Sequence, residues 1–240
     1  MAVEGVVKLR LVASIALLAA AGVDPDPACA QGVPVYSWTG CYVGLAGGGS
    51  WGSSKHTYEG GNAGFGLAET NDFSLSGGIF GGTAGCNVQK GLLAFGAEND
   101  ISWTNNNGSA ASIPPFSTLN TFQTKQTWLD TLRVRAGLAW NQWFFYGTGG
   151  LGFGDEGITT CGPLVGCGSQ SKIVTAWTAG VGTEFAFWRA WSLKLEYLHV
   201  DFGSETFAPT PVGSVFFAAR NVTLTNDIVR AGVNYSFSLP

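Results

Sequence analysis

Thr131-Leu132-Arg133-Val134-Arg135-Ala136-Gly137-Leu138 is the stretch on which the fold turns. Leu132, Val134, Ala136 and Leu138 fall on one parity; Thr131, Arg133, Arg135 and Gly137 fall on the other. A period of two is the signature of a strand whose two faces meet different surroundings. In a soluble barrel the apolar parity faces inward. In a barrel that spans a bilayer the order reverses, with oil outside and polar groups along the axis. Other stretches repeat the pattern. Val229, Ala231, Val233, Tyr235 and Phe237 oppose Arg230, Gly232, Asn234 and Ser236. Leu193, Leu195 and Tyr197 oppose Lys194 and Glu196. Phe95, Ala97, Ile101 and Trp103 oppose Glu98, Asp100 and Ser102, and Trp177, Ala179 and Val181 oppose Thr178, Gly180, Gly182 and Glu184.

The polar parity carries Glu98, Asp100, Glu184 and Glu196 against Arg133, Arg135, Lys194 and Arg230. Four acids and four bases form a neutral set, and burial of charge is tolerable only when it is paired. An eight-stranded barrel leaves an interior just wide enough for side chains. The set is therefore expected to be a barrel-interior charge network that fills the lumen, with the glycines making room for long side chains.

Working outward, alternating stretches are expected at 39–51, 74–88, 91–103, 127–140, 143–154, 173–186, 191–202 and 227–237. The connections between them run long, short, long, short: 52–73, Gln89-Lys90, 104–126, Asn141-Gln142, 155–172, 187–190 and 203–226. Long outer loops alternating with short periplasmic turns characterise an up-and-down transmembrane barrel. The expected fold is thus all-β: an eight-stranded antiparallel up-and-down transmembrane β-barrel with four outer loops of near 20 residues. The nine Trp fall toward strand ends: Trp38, Trp140, Trp143, Trp188 and Trp191 at the short-turn side, Trp51, Trp103, Trp128 and Trp177 at the long-loop side. That placement suits two interfacial girdles.

Composition agrees. The chain is 45% hydrophobic but only 12% charged, with 36 Gly, where soluble domains carry about 25% charged residues. No apolar run outside the N-terminus approaches the ~20 residues of a membrane helix. A net charge of −4 and the lack of any basic run argue against nucleic acid. Lys8 and Arg10, the apolar stretch Leu11 to Val23, and Ala28-Cys29-Ala30 before Gln31 read as a signal peptide over 1–30. Asp24-Pro25-Asp26-Pro27 argues against lipidation of Cys29. Residues 31–37 then form a periplasmic N-terminal segment and 38–240 the outer-membrane barrel domain, exported through the periplasm.

Cys41, Cys86, Cys161 and Cys167 remain after cleavage and allow three pairings. An oxidising periplasm favours disulfides. Cys161 and Cys167 close a short loop, and Cys41 and Cys86 come together if the first two strands pair, so these are the candidate disulfides. His56 and His199 are the only histidines, without zinc spacing. No cofactor or metal is expected.

Three chemical signals are weaker than their structural readings. Gly147-Thr148-Gly149-Gly150-Leu151-Gly152 matches a dinucleotide fingerprint, but continues a strand where that motif must open a helix. Glu98 and Asp100 as a general acid and base compete with their reading as ion pairs. His199-Val200-Asp201 lies near an outer-loop end, where membrane-barrel hydrolases keep a His, but no serine partner is identifiable.

Trp38-Thr39-Gly40-Cys41-Tyr42-Val43-Gly44 resembles the opening of the small outer-membrane β-barrel (porin-like, opacity-type) family of alphaproteobacterial major outer-membrane surface antigens. Gly85-Cys86-Asn87, Phe95-Gly96-Ala97-Glu98, Thr131 to Gly137, Tyr146 to Leu151, Lys194 to Leu198 and the closing Asn226 to Phe237 match in order. The resemblance implies an eight-stranded barrel, abundance in the outer membrane, exposed loops and antigenicity. Some members are reported as haem binders or weak pores, and this does not transfer without loop matches. Cys41 and Cys86 stand where the family has aromatics, and the chain ends on Phe237-Ser238-Leu239-Pro240 instead of on the aromatic.

The function expected is a structural, surface-exposed antigen or interaction protein. A small-solute porin, a haem-binding surface protein and a lipid-modifying barrel enzyme are the alternatives. The expected partners are outer-membrane lipid and lipopolysaccharide, the barrel-assembly machinery, and host or extracellular ligands through the outer loops.

Overall fold

The computed structural model describes residues 36–60, 66–163, 166–212 and 215–237. The expected signal peptide, the start of the segment 31–37 and the tail 238–240 lie outside these residues. The strands are β1 (Gly40–Tyr58), β2 (Phe73–Lys90), β3 (Leu93–Ala111), β4 (Thr121–Trp140), β5 (Trp143–Gly162), β6 (Gly166–Trp188), β7 (Trp191–Phe207), the short pair β8 (Thr210–Val212) and β9 (Val215–Phe217), and β10 (Arg220–Phe237). β1 to β7 and β10 form a closed antiparallel barrel in the order β1-β10-β7-β6-β5-β4-β3-β2, and β8–β9 is a separate two-stranded sheet.

Register fixes the barrel's shape. One row runs from Ser50 through Ile228, Leu198, Gly180, Thr148, Arg135, Gly96 and Asn87, and returns to β1 at Gly40, ten residues below its start. A shear of ten over eight strands gives a strand tilt of about 40° and a backbone radius of about 8 Å. The faces fall as the alternation requires. Leu132, Val134, Ile101, Leu195 and Val233 are exposed on the outer wall, and Glu98, Asp100, Arg133, Arg135, Glu184, Lys194, Glu196 and Arg230 are all buried within.

Strands of 17 to 23 residues are much longer than a bilayer needs. At this tilt about ten residues cross the apolar band of ~25 Å. Trp177 and Trp188 lie on the outer wall of β6, about 27 Å apart along the axis at this tilt, which is the spacing of two interfacial girdles. Beyond Trp51, Trp103, Trp128 and Trp177 the strands continue outward, so most of the residues expected as long loops are barrel wall. Only 112–120 separates β3 from β4, and 163–165 separates β5 from β6.

Two details differ from the sequence expectation. The first periplasmic turn is Gly91-Leu92, closing the pair Lys90↔Leu93, not Gln89-Lys90. Gly91, Asn141 and Arg189 each open a two-residue turn at positive φ, the backbone twist that tight hairpins need. Trp38 is not in the periplasmic girdle. It is buried in the lower mouth of the barrel with Ala94, Ala139, Phe144, Tyr146 and Ala186, its backbone N–H donating to Gln89 Oε1 at 2.8 Å. The lumen there is wide enough for an indole, and burying it removes more apolar surface than a girdle position does.

Candidate functional site

The lumen is layered. Above the aromatic floor around Trp38 lies the charged layer, built from β3, β4, β6, β7 and β10. Glu98 is its hub. It accepts from Arg133 Nη2 at 2.6 Å, Arg135 Nη1 at 3.3 Å, Lys194 Nζ at 3.0 Å and the Tyr42 hydroxyl at 2.5 Å. Glu196 accepts from Arg133 Nη1 at 3.1 Å, Arg230 Nη2 at 2.6 Å and the Tyr146 hydroxyl at 3.0 Å. Asp100 pairs with Arg133 and with Arg230, the latter at 2.9 Å. Glu184 holds Arg135 at 2.5 Å and takes further bonds from Ser192 and Asn234. The eight charges singled out in the sequence thus meet in one network across the axis.

Sequence reasoning put Thr131 and Asn234 on the polar parity but missed the other neutral members of the network. Tyr42, Tyr146, Asn87, Asn234, Ser192 and Thr131 share the inward parity and add hydrogen bonds to the charges. The Arg135 guanidinium also lies 4.6 Å from the centre of the Tyr42 ring, a cation–π contact that a desolvated site strengthens. Glycine matters here through volume. A methyl on Gly182 would overlap the Tyr146 ring, and one on Gly85 would overlap the Tyr42 hydroxyl.

The next layer is apolar. Ile79, Leu129, Val174, Leu198, Val200, Phe202, Leu224 and Ile228 pack inside the outer half of the barrel. Set within it is a chain of amides, with Asn226 between Leu224 and Ile228 on β10: Asn106 donates to Asn226 and Asn226 to Gln126, each at 2.8 Å. Beyond the girdle, a second polar chamber holds His56, Thr124, Glu69, Arg220 and Glu156. His56 Nε2 lies 2.9 Å from Thr124 Oγ1. Burial, reinforced by Arg220, lowers the His56 pKa to about 3 and keeps the ring neutral.

Burial raises the Glu156 pKa to about 8, and the nearby Glu205 carboxylate adds to the effect. This folded-state value lies above that of an unfolded carboxyl, so Glu156 stabilises the fold fully below about pH 4.5. The contribution is lost as pH rises toward about 8. Glu156→Gln is expected to flatten that fall of stability with pH, measured by urea unfolding in micelles at pH 4.5, 6 and 8; an unchanged slope contradicts the assignment.

Cys41–Cys86 and Cys161–Cys167 are disulfides joining directly paired residues, the first on β1–β2 and the second near the outer tip of β5–β6. Gly147 to Gly152 lies within β5. His199 faces outward near the outer girdle, with Nδ1 2.9 Å from Asp227 Oδ1 and its ring packed on Trp177. Among the described residues no group of three His, Cys, Asp or Glu side chains is placed to hold a metal ion.

A closed eight-stranded barrel with an oily outer wall and an ionic interior invites comparison with known proteins. Residues 11–237 match the model of the outer membrane protein beta-barrel domain. The chain belongs to this family. Within this outer membrane beta-barrel group it is 31% identical to the 31 kDa outer-membrane immunogenic protein of Brucella melitensis, over 89% of this chain and 90% of the relative. It is 30% identical to the 22 kDa outer membrane protein of Rhizobium leguminosarum, over 72% of this chain and 69% of that one. Among solved structures, the outer membrane protease OmpT of Escherichia coli superposes with a TM-score of 0.51 at 10% identity, covering 82% of this chain and 97% of the protease. That likeness concerns the barrel fold alone. The protein is a bacterial outer-membrane β-barrel protein.

Proposed function

We propose that this barrel is a non-conducting structural anchor of the outer membrane, which presents its extramembrane wall for contact with other molecules. The observation that carries the reading is the Glu98–Arg133–Glu196–Arg230 chain of ion pairs, spanning a lumen whose backbone radius is about 8 Å. Four guanidinium or ammonium groups and four carboxylates occupy one level. An apolar layer lies above them and the Trp38 cluster below. A hydrated ion crossing this lumen would have to break several buried pairs, each costly to open.

The outer wall faces lipid and lipopolysaccharide, and the assembly machinery inserts the barrel. Contact specificity resides above the girdle, with host or extracellular ligands as its targets. No catalytic step is assigned: His199 is engaged by Asp227 and Trp177, and the acids of the charged layer are engaged by bases. Planar-bilayer recording of the folded, purified chain tests the reading. Silence at moderate voltage is expected, whereas steady unitary steps would establish a small-solute pore instead.

A further inference from the structure

Among the described residues the longest interruption of the barrel wall lies between β6 and β7. β5 stays paired with β6 as far as Gly162↔Gly166, and β7 with β10 as far as Phe207↔Arg220. β6 and β7 separate at Trp177↔Asp201, although both run on outward. The cause is local. Gly203 adopts φ +66°, its N–H donates to Asp201 Oδ1 at 2.7 Å, and the β10 register slips between Thr223 and Thr225 opposite. An Asx turn of this kind bends a strand out of its ladder. Above it, among the described residues, Ser171–Ala176 of β6 and Phe202–Phe207 of β7 face each other without backbone pairing. Side chains bridge the gap instead: Lys172 pairs with Glu205, and Gln170 Nε2 donates to the Ala208 carbonyl. The β8–β9 hairpin has no backbone pairing with either edge, and β8 packs beside β6 next to Gln170.

Behind the seam stands Glu156, the register partner of Lys172 on the inner face. It is fully buried, and neither of its carboxyl oxygens has a hydrogen-bond partner among the described residues. A buried acceptor left unmet costs free energy that a donor from outside can recover. Two carboxyl groups, Glu156 and Glu205, face a single ammonium, Lys172.

We propose that this seam is a strand-addition site for an extended polypeptide that delivers a basic side chain to Glu156 and Glu205. Free strand edges offer alternating N–H and C=O groups that an extended main chain matches. The six-residue edge suits a strand of ordinary length. A Lys or Arg on the inward parity supplies the second cation that lets both carboxyl groups ionise, and the pairing is charge-assisted. The site lies above the membrane and is independent of whether the lumen conducts.

The test uses the full mature barrel folded in micelles. The probes are an octapeptide of alternating Lys and Thr, the same peptide N-methylated at alternate residues, and an alternating Glu–Thr peptide. Amide exchange on β6 reads the edge. Before addition, the β7-facing amides of Ser171–Ala176 are expected to exchange freely while the β5-facing ones are protected. The Lys–Thr peptide is expected to bind and protect them. N-methylation is expected to abolish binding, and Glu156→Gln or Glu205→Gln to weaken it about tenfold, with heat-modifiability on a gel showing that each variant still folds. Equal binding of the N-methylated or acidic peptide, β6 amides already protected without peptide, or no binding of the Lys–Thr peptide overturns the proposal.

Discussion

Arg133→Met is expected to lower the unfolding free energy of the micelle-folded barrel by about 3–5 kcal/mol. Arg133 pairs with Glu98, Asp100 and Glu196 at once, and its side chain is shielded from solvent. Methionine conserves much of the volume, so the loss is electrostatic: three carboxylates keep their burial and lose a shared counter-charge. Lys194 and Arg230 still serve Glu98 and Glu196, which keeps the loss within that range. The double variant Arg133→Met with Glu196→Gln restores neutrality and should recover part of the loss, with a coupling energy of about 1 kcal/mol or more in a double-mutant cycle. Urea titration followed by tryptophan fluorescence measures all three. A change below about 1 kcal/mol in the single variant would mean that the acids are not held by this guanidinium.

The adjacent position gives the opposite experiment. Val134→Arg is expected to cost about 2–4 kcal/mol in lipid vesicles, because the new guanidinium faces hydrocarbon near mid-span. Val134 is 68% exposed on the outer wall. The cost should shrink in detergent micelles, where the headgroup layer is closer, and Val134→Leu should be nearly neutral. One residue along the chain, an arginine is required inside and excluded outside. Equal stability of Val134→Arg and the parent in vesicles would show that this face does not meet lipid.

That contrast explains why the membrane-spanning part was legible in the sequence. Within the bilayer the two parities have opposed solvents, so Leu132 and Arg133 differ in kind. Above the girdle both faces of the wall lie in or near water, and the opposition fades. Residues 52–58, 104–111 and 155–162 carry Ser, Thr, Asn and Gly on both parities and resemble loop, yet they continue β1, β3 and β5. The lumenal apolar layer was hidden for a related reason. Ile228 shares the parity of Arg230, and Leu198 that of Glu196. Parity places them inward, but an apolar residue on the polar face is outweighed by the charges beside it. Trp38 was misplaced because an indole near a strand start suits an interface equally well. The seam depends on where β7 leaves β6, which follows from one Asx turn at Asp201–Gly203 and leaves no periodic trace.

The outward continuation of the strands has a consequence for molecular recognition from outside the cell. What protrudes is a stiff hydrogen-bonded collar, tied near its rim by Cys161–Cys167. An antibody gripping such a collar must read neighbouring strands together, and where β1 meets β10 those neighbours come from opposite ends of the chain. Short synthetic fragments should therefore compete poorly for serum raised against the native protein, and boiling the antigen should erase most of the reactivity.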